Sequence, residues 1–249
     1  MLGNEIERKP LGRKNYGHIP HLPSSRMGPG DHKCHRGQAT IATVKTRDKH
    51  DEVIVQEKLD GSNVGVARID GVLHPLGRAG WTAVSSPHLQ HRHFHNWVFK
   101  NYDRFMNTIK DGERLVGEWL IQAHGTRYEL RHEPFVAFDL MIDSSRLPYD
   151  EFLFRLCDRF VTPTLLHRGC AFTVNAAMSE LGMYGHHGAI DPVEGVVWRV
   201  ERDKQTRKNS ERIRIVDFLV KYVRPDKEDG LYLKEDVLNL YPGERYGLS

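Results

Sequence analysis

The sequence has few of the features that mark a secreted or membrane protein. Only three of its 249 residues are cysteines, Cys34, Cys157 and Cys170, and they form no C-x-x-C pair. An odd, widely spaced set of this kind is typical of reduced thiols in the cytosol and argues against a disulfide framework. No apolar run approaches the roughly 18 residues of a membrane span, and the N-terminus has no signal-peptide core. We therefore expect a soluble, cytoplasmic protein without a membrane partner.

A large excess of one charge and a long polar linker are also missing. Lys and Arg total 36 against 33 Asp and Glu, and the net charge of +3 fits a nucleic-acid partner without requiring one. The length and the lack of a linker predict one large domain over residues 51–225. Residues 1–50, rich in Gly, Pro and His, predict an irregular lead-in packed on or next to that domain, and residues 226–249 predict a short tail. We expect a monomer.

The apolar patterns predict a chain of mixed strands and helices. Turn signals at Asp60-Gly61 and Asp70-Gly71 separate three strand-like runs, which predicts a three-stranded meander. Apolar residues at helical spacing predict one helix from about Pro87 to Asp111 and two more over residues 149–160 and 173–182. Further strands are predicted over residues 114–120, 135–142, 193–199 and 213–224.

Two of these predicted strands each contain an acidic residue among apolar neighbours. Glu118 lies in the run 114–120, and Asp139 lies in the run 135–142. An unpaired buried carboxylate would cost more free energy than the strand gains from burial. Glu118 and Asp139 are therefore expected to have a partner or a ligand.

The stretch EKLDGSN at residues 57–63 displays Lys58 directly after a strand-like run. A lysine attacks phosphorus only as the neutral amine, so burial, neighbouring cations and a metal ion on the phosphate must favour the free base. Asp60 would help to hold that metal, and Gly61 would allow a positive φ where the chain reverses beside a ligand. The alternative is that Asp60-Gly61 is only a hairpin turn.

Five short motifs in order resemble those of the covalent nucleotidyltransferase superfamily of ATP-dependent DNA and RNA ligases and mRNA capping enzymes. They are KLDG at 58–61, GEW at 117–119, FDL at 138–140, EGVV at 194–197 and VKYV at 220–223. Asn63, Glu57 and Arg78 favour the RNA ligase branch that includes the phage enzyme sealing nicked duplex RNA. The branch usually has a second basic residue two positions after Lys221, where this chain has Val223.

The resemblance implies the fold and the activity. It implies an α+β nucleotidyltransferase domain of twisted antiparallel sheets flanked by helices, similar to the ATP-grasp fold. It also implies an ATP-dependent RNA ligase that acts in RNA repair and joins a 3′-OH end to a 5′-phosphate end through lysyl-AMP and an adenylylated RNA end. The alternatives are a ligase of DNA or mixed-duplex nicks, and a nucleotide-binding or nucleic-acid-binding module whose chemistry has decayed.

The resemblance further implies roles for individual residues. Lys58 is the nucleophile, Lys221 contacts the α-phosphate, and Asp60 and Glu194 hold Mg²⁺ or Mn²⁺. ATP is further contacted by the backbone of Glu57 at the adenine amine, by Glu118 at the ribose and by Phe138, whose ring stacks on the base. The residues expected toward RNA are Asn63, Arg78 and Arg224, with the basic arm 204–214 as a further candidate.

Overall fold

The computed structural model describes residues 9–205 and 211–242. The first residues of the lead-in, the centre of the basic arm at 206–210 and the end of the tail therefore lie outside the described residues. The chain divides into two compact units. Unit 1 comprises Met1–Gly17, Gly61–Ile121 and Phe135–Thr162, and unit 2 comprises His18–Asp60, Gln122–Pro134 and Pro163–Ser249.

The regular elements of the described residues alternate between strands and short helices. The helices are α1 (Arg36–Thr43), α2 (Leu89–Lys100), α3 (Tyr102–Met106), α4 (Tyr149–Leu156) and α5 (Val174–Leu181). The strands are β1 (Asp51–Lys58), β2 (Ser62–Ile69), β3 (Val72–Gly77), β4 (Glu113–Trp119), β5 (Phe135–Ile142), β6 (Ser145–Arg146), β7 (Leu165–Gly169), β8 (Gly195–Gln205) and β9 (Arg212–Val223). None of the helices among these residues is long and apolar enough to cross a membrane.

Unit 1 contains a five-stranded sheet in the order β3-β2-β4-β5-β6. Strands β2 and β3 form a two-residue hairpin at Asp70 and Gly71, whose φ angles of 50° and 76° fit the left-handed turn that such hairpins need. An aromatic cluster packs beside the sheet through ring centroids 4.9–6.0 Å apart. It consists of Phe94, Trp97, Phe105, Trp119, Phe135 and Phe160.

Unit 2 contains a four-stranded sheet in the order β7-β1-β8-β9. Val53, Ile54 and Val55 of β1 are fully buried, as is Trp198 of β8. The continuous apolar run of β1 fits a strand that is hydrogen-bonded on both sides and covered on both faces. All pairings between the named strands of both sheets are antiparallel, which confirms the predicted α+β class.

The predicted three-strand meander is wrong at its first turn. Strand β1 pairs with β7 and β8 in unit 2, whereas β2 pairs with β3 and β4 in unit 1. Asp60-Gly61 is therefore a crossing between two sheets and not a hairpin turn. Gly61 also lacks the predicted positive φ. Glycine is needed at this position because there is no room for a side chain. A Cβ atom there would lie 2.6 Å from the Trp119 carbonyl oxygen and 2.8 Å from the Leu120 side chain.

The predicted helix from Pro87 to Asp111 is wrong in extent. Helix α2 ends at Lys100, and the short α3 begins at Tyr102 and ends at Met106. The intervening Asn101 leaves helical geometry with φ −110° and ψ 25°. Its side-chain amide donates a hydrogen bond of 2.9 Å to the Trp97 carbonyl, which caps α2. The other two predicted helices correspond to α4 and α5, and Thr173 caps α5 by accepting from the Ala176 N–H at 3.2 Å.

Candidate active site

The ends of three strands meet at one end of the unit 2 sheet. Lys58, the last residue of β1, is paired with Gly195, the first residue of β8, and Gly195 is paired with Val223 at the end of β9. Two positions earlier, Lys221 of β9 is paired with Val197 of β8. Cross-strand partners share a face of the sheet and alternate residues return to it. Lys58 and Lys221 therefore belong to the same face.

Lys58 forms an ion pair with Glu194, which directly precedes β8. The Lys58 ammonium donates to Glu194 Oε2, and the two side chains are 21% and 11% exposed. Burial raises the pKa of the Glu194 carboxyl, the Lys58 ammonium lowers it, and the Asp60 charge raises it further. The charged Lys58 amine is therefore paired with a Glu194 carboxylate whose pKa is raised by burial.

Asp60 is held by a group of donors from the segments 124–128 and 225–228 of unit 2. Its Oδ2 accepts from the Gly125 N–H at 3.0 Å and the Thr126 hydroxyl at 3.2 Å, and it lies 3.5 Å from Lys227 Nζ. The Asp60 N–H donates to the hydroxyl of buried Tyr128 at 3.1 Å. These contacts fix the position of the Asp60 carboxylate through Oδ2.

Glu57 lies on the opposite face of β1 from Lys58, and its side chain is almost completely buried. The residue is 1% exposed, and Oε2 accepts from the His186 N–H at 3.0 Å. Oε1 is buried and has no hydrogen-bond partner among the described residues. Burial raises the pKa of this carboxyl to about 7. The Glu57 N–H donates to the Thr164 carbonyl at 3.0 Å, so this backbone donor is already used.

Asn63 and Glu118 face each other in unit 1. They are directly paired across β2 and β4, and Glu118 Oε1 accepts from the Gly61 N–H at 3.2 Å. Asn63 Oδ1 is buried and has no hydrogen-bond partner among the described residues. Arg78 follows β3 and is exposed, and its carbonyl accepts from the Asn15 N–H at 3.1 Å. Glu118, which the sequence predicts to need a partner, therefore has one in the Gly61 N–H, within the motif that contains Lys58.

Phe138 occupies a β-bulge. Val116 of β4 is paired with Asp139, whereas the next residue, Gly117, is paired with Ala137, so Phe138 is the extra residue on β5. A bulge changes the direction of the side chain it carries and is common beside functional sites. Phe138 is half-buried, although the residues on either side of it are fully or almost fully buried.

Neighbouring side chains fix the backbone around Phe138. Tyr16 meets the Phe138 ring edge-on with a centroid distance of 5.2 Å, and its hydroxyl donates to Asp139 Oδ2. Arg146 Nε donates to the same oxygen at 3.0 Å. The prediction that Asp139 needs a partner is thereby confirmed. Tyr16 was not predicted, since nothing in its local sequence links it to residues 138–146.

Residues 51–223 match the family model described as RNA ligase. The chain belongs to the RNA ligase family. This match confirms the family that the five motifs predict. Comparison with curated proteins found no match.

Solved structures of RNA ligases are similar to this family member. A Naegleria gruberi RNA ligase variant with ATP and Mn is 18% identical, with a TM-score of 0.46 over 71% of this chain and 51% of that chain. The Naegleria gruberi RNA ligase with PPi is 18% identical, with a TM-score of 0.46 over 84% and 59%. An archaeal ATP-dependent RNA ligase is 19% identical, with a TM-score of 0.44 over 89% and 50%. The chain thus spans between 50% and 59% of the length of these proteins.

In this RNA ligase family member the predicted site residues fall into two sets. Glu57, Lys58, Asp60, Glu194, Lys221 and Arg224 belong to unit 2, and Asn63, Arg78, Glu118 and Phe138 belong to unit 1. Arg224 forms an ion pair with Asp226, with contacts of 3.0 and 3.1 Å. The sequence interpretation missed Tyr128 and Lys227, which anchor Asp60, because neither belongs to a motif and both come from segments distant in sequence.

Proposed function

We propose that this chain is an ATP-dependent RNA ligase that forms a covalent lysyl-AMP at Lys58. The observation that carries the proposal is the end of the unit 2 sheet. Lys58 and Lys221 share a face there, and Lys58 is paired with Glu194, within a segment that matches the RNA ligase family. A lysine nucleophile beside a second cation and two carboxylates has the residue types that nucleotidyl transfer from ATP needs.

In the first step the neutral Lys58 amine attacks the α-phosphorus of ATP. An N–P bond forms, the bond to pyrophosphate breaks, and the amine loses a proton. The departing pyrophosphate and the α-phosphate oxygens gain negative charge, which the Lys221 ammonium stabilises. Lys58 must leave its ion pair with Glu194 before it can react, because an ammonium has no free electron pair to donate.

Asp60 and Glu194 are the residues that we propose for a divalent cation, Mg²⁺ or Mn²⁺. No group of three His, Cys, Asp or Glu side chains suited to a metal comes together among residues 9–205 and 211–242. Two carboxylates nevertheless suit Mg²⁺, which keeps several waters and is often bound by one or two carboxylates and substrate phosphates. A bound cation would supply positive charge to the phosphate oxygens. The Asp60 carboxylate, fixed through Oδ2, would contact such an ion or its water through Oδ1.

The remaining residues are assigned to ATP and RNA. We propose that Phe138 stacks on adenine, that Glu118 contacts the ribose and that the Glu57 backbone reads the adenine amine. The bulge at Phe138 and the half-buried ring support the first of these roles. Asn63, whose amide oxygen has no partner among the described residues, Arg78 and Arg224 are proposed to contact RNA ends that carry 3′-OH and 5′-phosphate groups.

The test is transfer of label from α-³²P-ATP onto the protein without RNA. The wild-type protein with Mg²⁺ should retain label through denaturing electrophoresis, and Lys58→Ala should retain none. Lys58→Arg should also fail, because a guanidinium stays protonated and has no free lone pair. Label on Lys58→Ala would refute the nucleophile assignment, and an unlabelled wild-type protein would support a decayed binding module. Matched RNA, DNA and mixed nicks then separate an RNA ligase from a DNA ligase.

A further inference from the structure

A segment that precedes the family match runs beside Lys221. The Lys221 N–H donates to the Pro20 carbonyl at 3.0 Å, and the Leu22 N–H donates to the Lys221 carbonyl at 2.8 Å. Farther along, the Arg26 N–H donates to the Val223 carbonyl at 3.0 Å. Residues 20–26 therefore lie along the end of β9 that carries Lys221, joined to it by an isolated parallel bridge at His21 and by these hydrogen bonds.

The same segment brings an acidic residue to the Lys221 side chain. Asp31 Oδ1 lies 3.8 Å from Lys221 Nζ, and the two side chains are 23% and 15% exposed. Asp31 Oδ2 accepts from the Gly28 N–H at 3.0 Å. Burial alone would raise the pKa of Asp31, but the Gly28 hydrogen bond and the Lys221 charge lower it below its ordinary value. Asp31 is therefore an ionised carboxylate beside Lys221.

His21 lies beside Asp31 on the buried side. Its Nε2 lies 3.0 Å from Asp31 Oδ2 but has no hydrogen-bond partner among the described residues, and its Nδ1 lies 2.7 Å from Ser25 Oγ. Ser25 Oγ also accepts from the Val223 N–H at 2.8 Å, which ties this pair to the end of β9. Burial and the Lys221 charge lower the pKa of His21. His21 is therefore neutral, and Asp31 is the charged member of this pair beside Lys221.

A second carboxylate nearby already has a cation of its own. A Cβ atom on Gly28 would lie 3.5 Å from Asp31 Oδ2 and 3.7 Å from Asp229 Oδ2, so Gly28 separates two acids. Asp229 Oδ2 forms an ion pair of 2.7 Å with Arg26. Asp31 is thus the carboxylate of this cluster that is directed at Lys221.

We propose that Asp31, which accepts a hydrogen bond from the Gly28 N–H and lies against His21, is a positioning residue for Lys221. This inference rests on the proposed function. A lysine side chain has four rotatable bonds, and a fixed carboxylate restricts the positions that its ammonium samples before ATP arrives. The Asp31 charge also repels the ATP phosphates, so Asp31 should favour the reaction step without favouring ATP binding.

The experiment is single-turnover transfer of label from α-³²P-ATP at a series of ATP concentrations. Asp31→Asn should lower the maximal rate constant about tenfold, with an unchanged labelled fraction and an equal or lower half-saturating ATP concentration. Asp31→Glu should recover part of the rate, because it keeps the charge. The matched control is Asp48→Asn, since Asp48 is also ion-paired, with Arg202, but lies before the start of β1, at the other end from Lys58.

Two results would overturn the positioning role. A wild-type rate constant in Asp31→Asn would show that Lys221 does not need this carboxylate. A reduced labelled fraction with an unchanged rate constant and a lowered Tm would show that Asp31 only supports the fold. If the wild-type protein takes up no label, the proposed function itself fails and the role of Asp31 fails with it. If the wild-type protein takes up label and Asp31→Asn reacts with the same rate constant, the role of Asp31 fails but the proposed function stands.

Discussion

The Lys58 ammonium is ion-paired with the Glu194 carboxylate where β1 ends and β8 begins. The pair follows from strand register, because Lys58 is directly opposite Gly195 and Glu194 is the residue before it. In this state the proposed nucleophile is protonated and its counter-ion is a proposed metal ligand. Glu194 would therefore have two effects of opposite sign, since it opposes deprotonation of Lys58 and supports binding of the cation.

Replacement of Glu194 by Gln should separate these two effects. Loss of the carboxylate removes the group that stabilises the Lys58 ammonium, so acylation of Lys58 by an amine-selective reagent at pH 8 should be severalfold faster. Self-adenylylation with ATP and Mg²⁺ should instead lose most of its rate. The measurements are peptide mapping of acylated Lys58 and label transfer from α-³²P-ATP. Glu180→Gln, at an exposed carboxylate of α5, should change neither rate.

A parallel fall of both rates would contradict this account of Glu194. It would mean that Glu194 assists deprotonation of Lys58, and the proposed metal role would lose its support. Wild-type adenylylation with an unchanged magnesium dependence would remove Glu194 from the site.

Replacement of Phe138 by Leu should weaken ATP binding more than it weakens the fold. Loss of a stacked ring should cost about 1–3 kcal/mol of ATP affinity, measured as the half-saturating ATP concentration for adenylylation. Phe154→Leu on α4 of the same unit is the control, since this ring is 82% exposed. A lower Tm with an unchanged ATP requirement would identify the Phe138 ring as a packing residue.

Replacement of Glu57 by Gln should change how stability depends on pH. Burial raises the pKa of Glu57 to about 7, whereas an unfolded glutamate titrates near ~4.3. Between these values the folded state binds more protons than the unfolded state, so this group contributes stability at low pH that is lost as pH rises. Relative to Glu57→Gln, the wild type should lose about 2–3 kcal/mol of unfolding free energy between about pH 5 and pH 8.

Denaturant unfolding of both proteins at several pH values measures this difference. Parallel curves for the wild type and Glu57→Gln would show that the Glu57 carboxyl titrates normally in the folded protein. The Glu180→Gln protein serves again as the control, because its exposed carboxylate should leave the pH dependence unchanged.

Replacement of Asn15 by Leu should stabilise the protein. Asn15 is fully buried, and neither its amide oxygen nor its amide nitrogen has a hydrogen-bond partner among the described residues. The amide lies directly over Gly65, where a Cβ atom would be 2.6 Å from Oδ1. A leucine of similar size removes both unpaired groups, and the free energy of unfolding should rise by about 1–3 kcal/mol.

Asn96→Leu, at an exposed position of α2, should change stability by less than about 0.5 kcal/mol. A loss of stability in Asn15→Leu would contradict the prediction. It would indicate that a water or a ligand pairs with the Asn15 amide in solution.

The sequence by itself determined the family and most of the strands. The five ordered motifs identify the RNA ligase family, and each of them overlaps one of the strands β1, β4, β5, β8 and β9. The Asp70-Gly71 hairpin was also predictable, because a two-residue turn with positive φ has a local signature. These features are local: each depends on residues that are close together in the sequence, so a short sequence pattern is enough to predict it.

Only the tertiary structure decided which strands pair and what surrounds each motif. Asp60-Gly61 has the same local signature as a hairpin, yet β1 and β2 join different sheets. Lys58 of β1 is paired with Gly195, 137 residues later, and Asn63 of β2 is paired with Glu118, 55 residues later. The bulge at Phe138, the Tyr16 contact and the approach of Asp31 to Lys221 have no local signature either. They depend on pairing register and on ion pairs between distant segments, and these are set by the packing of the whole chain.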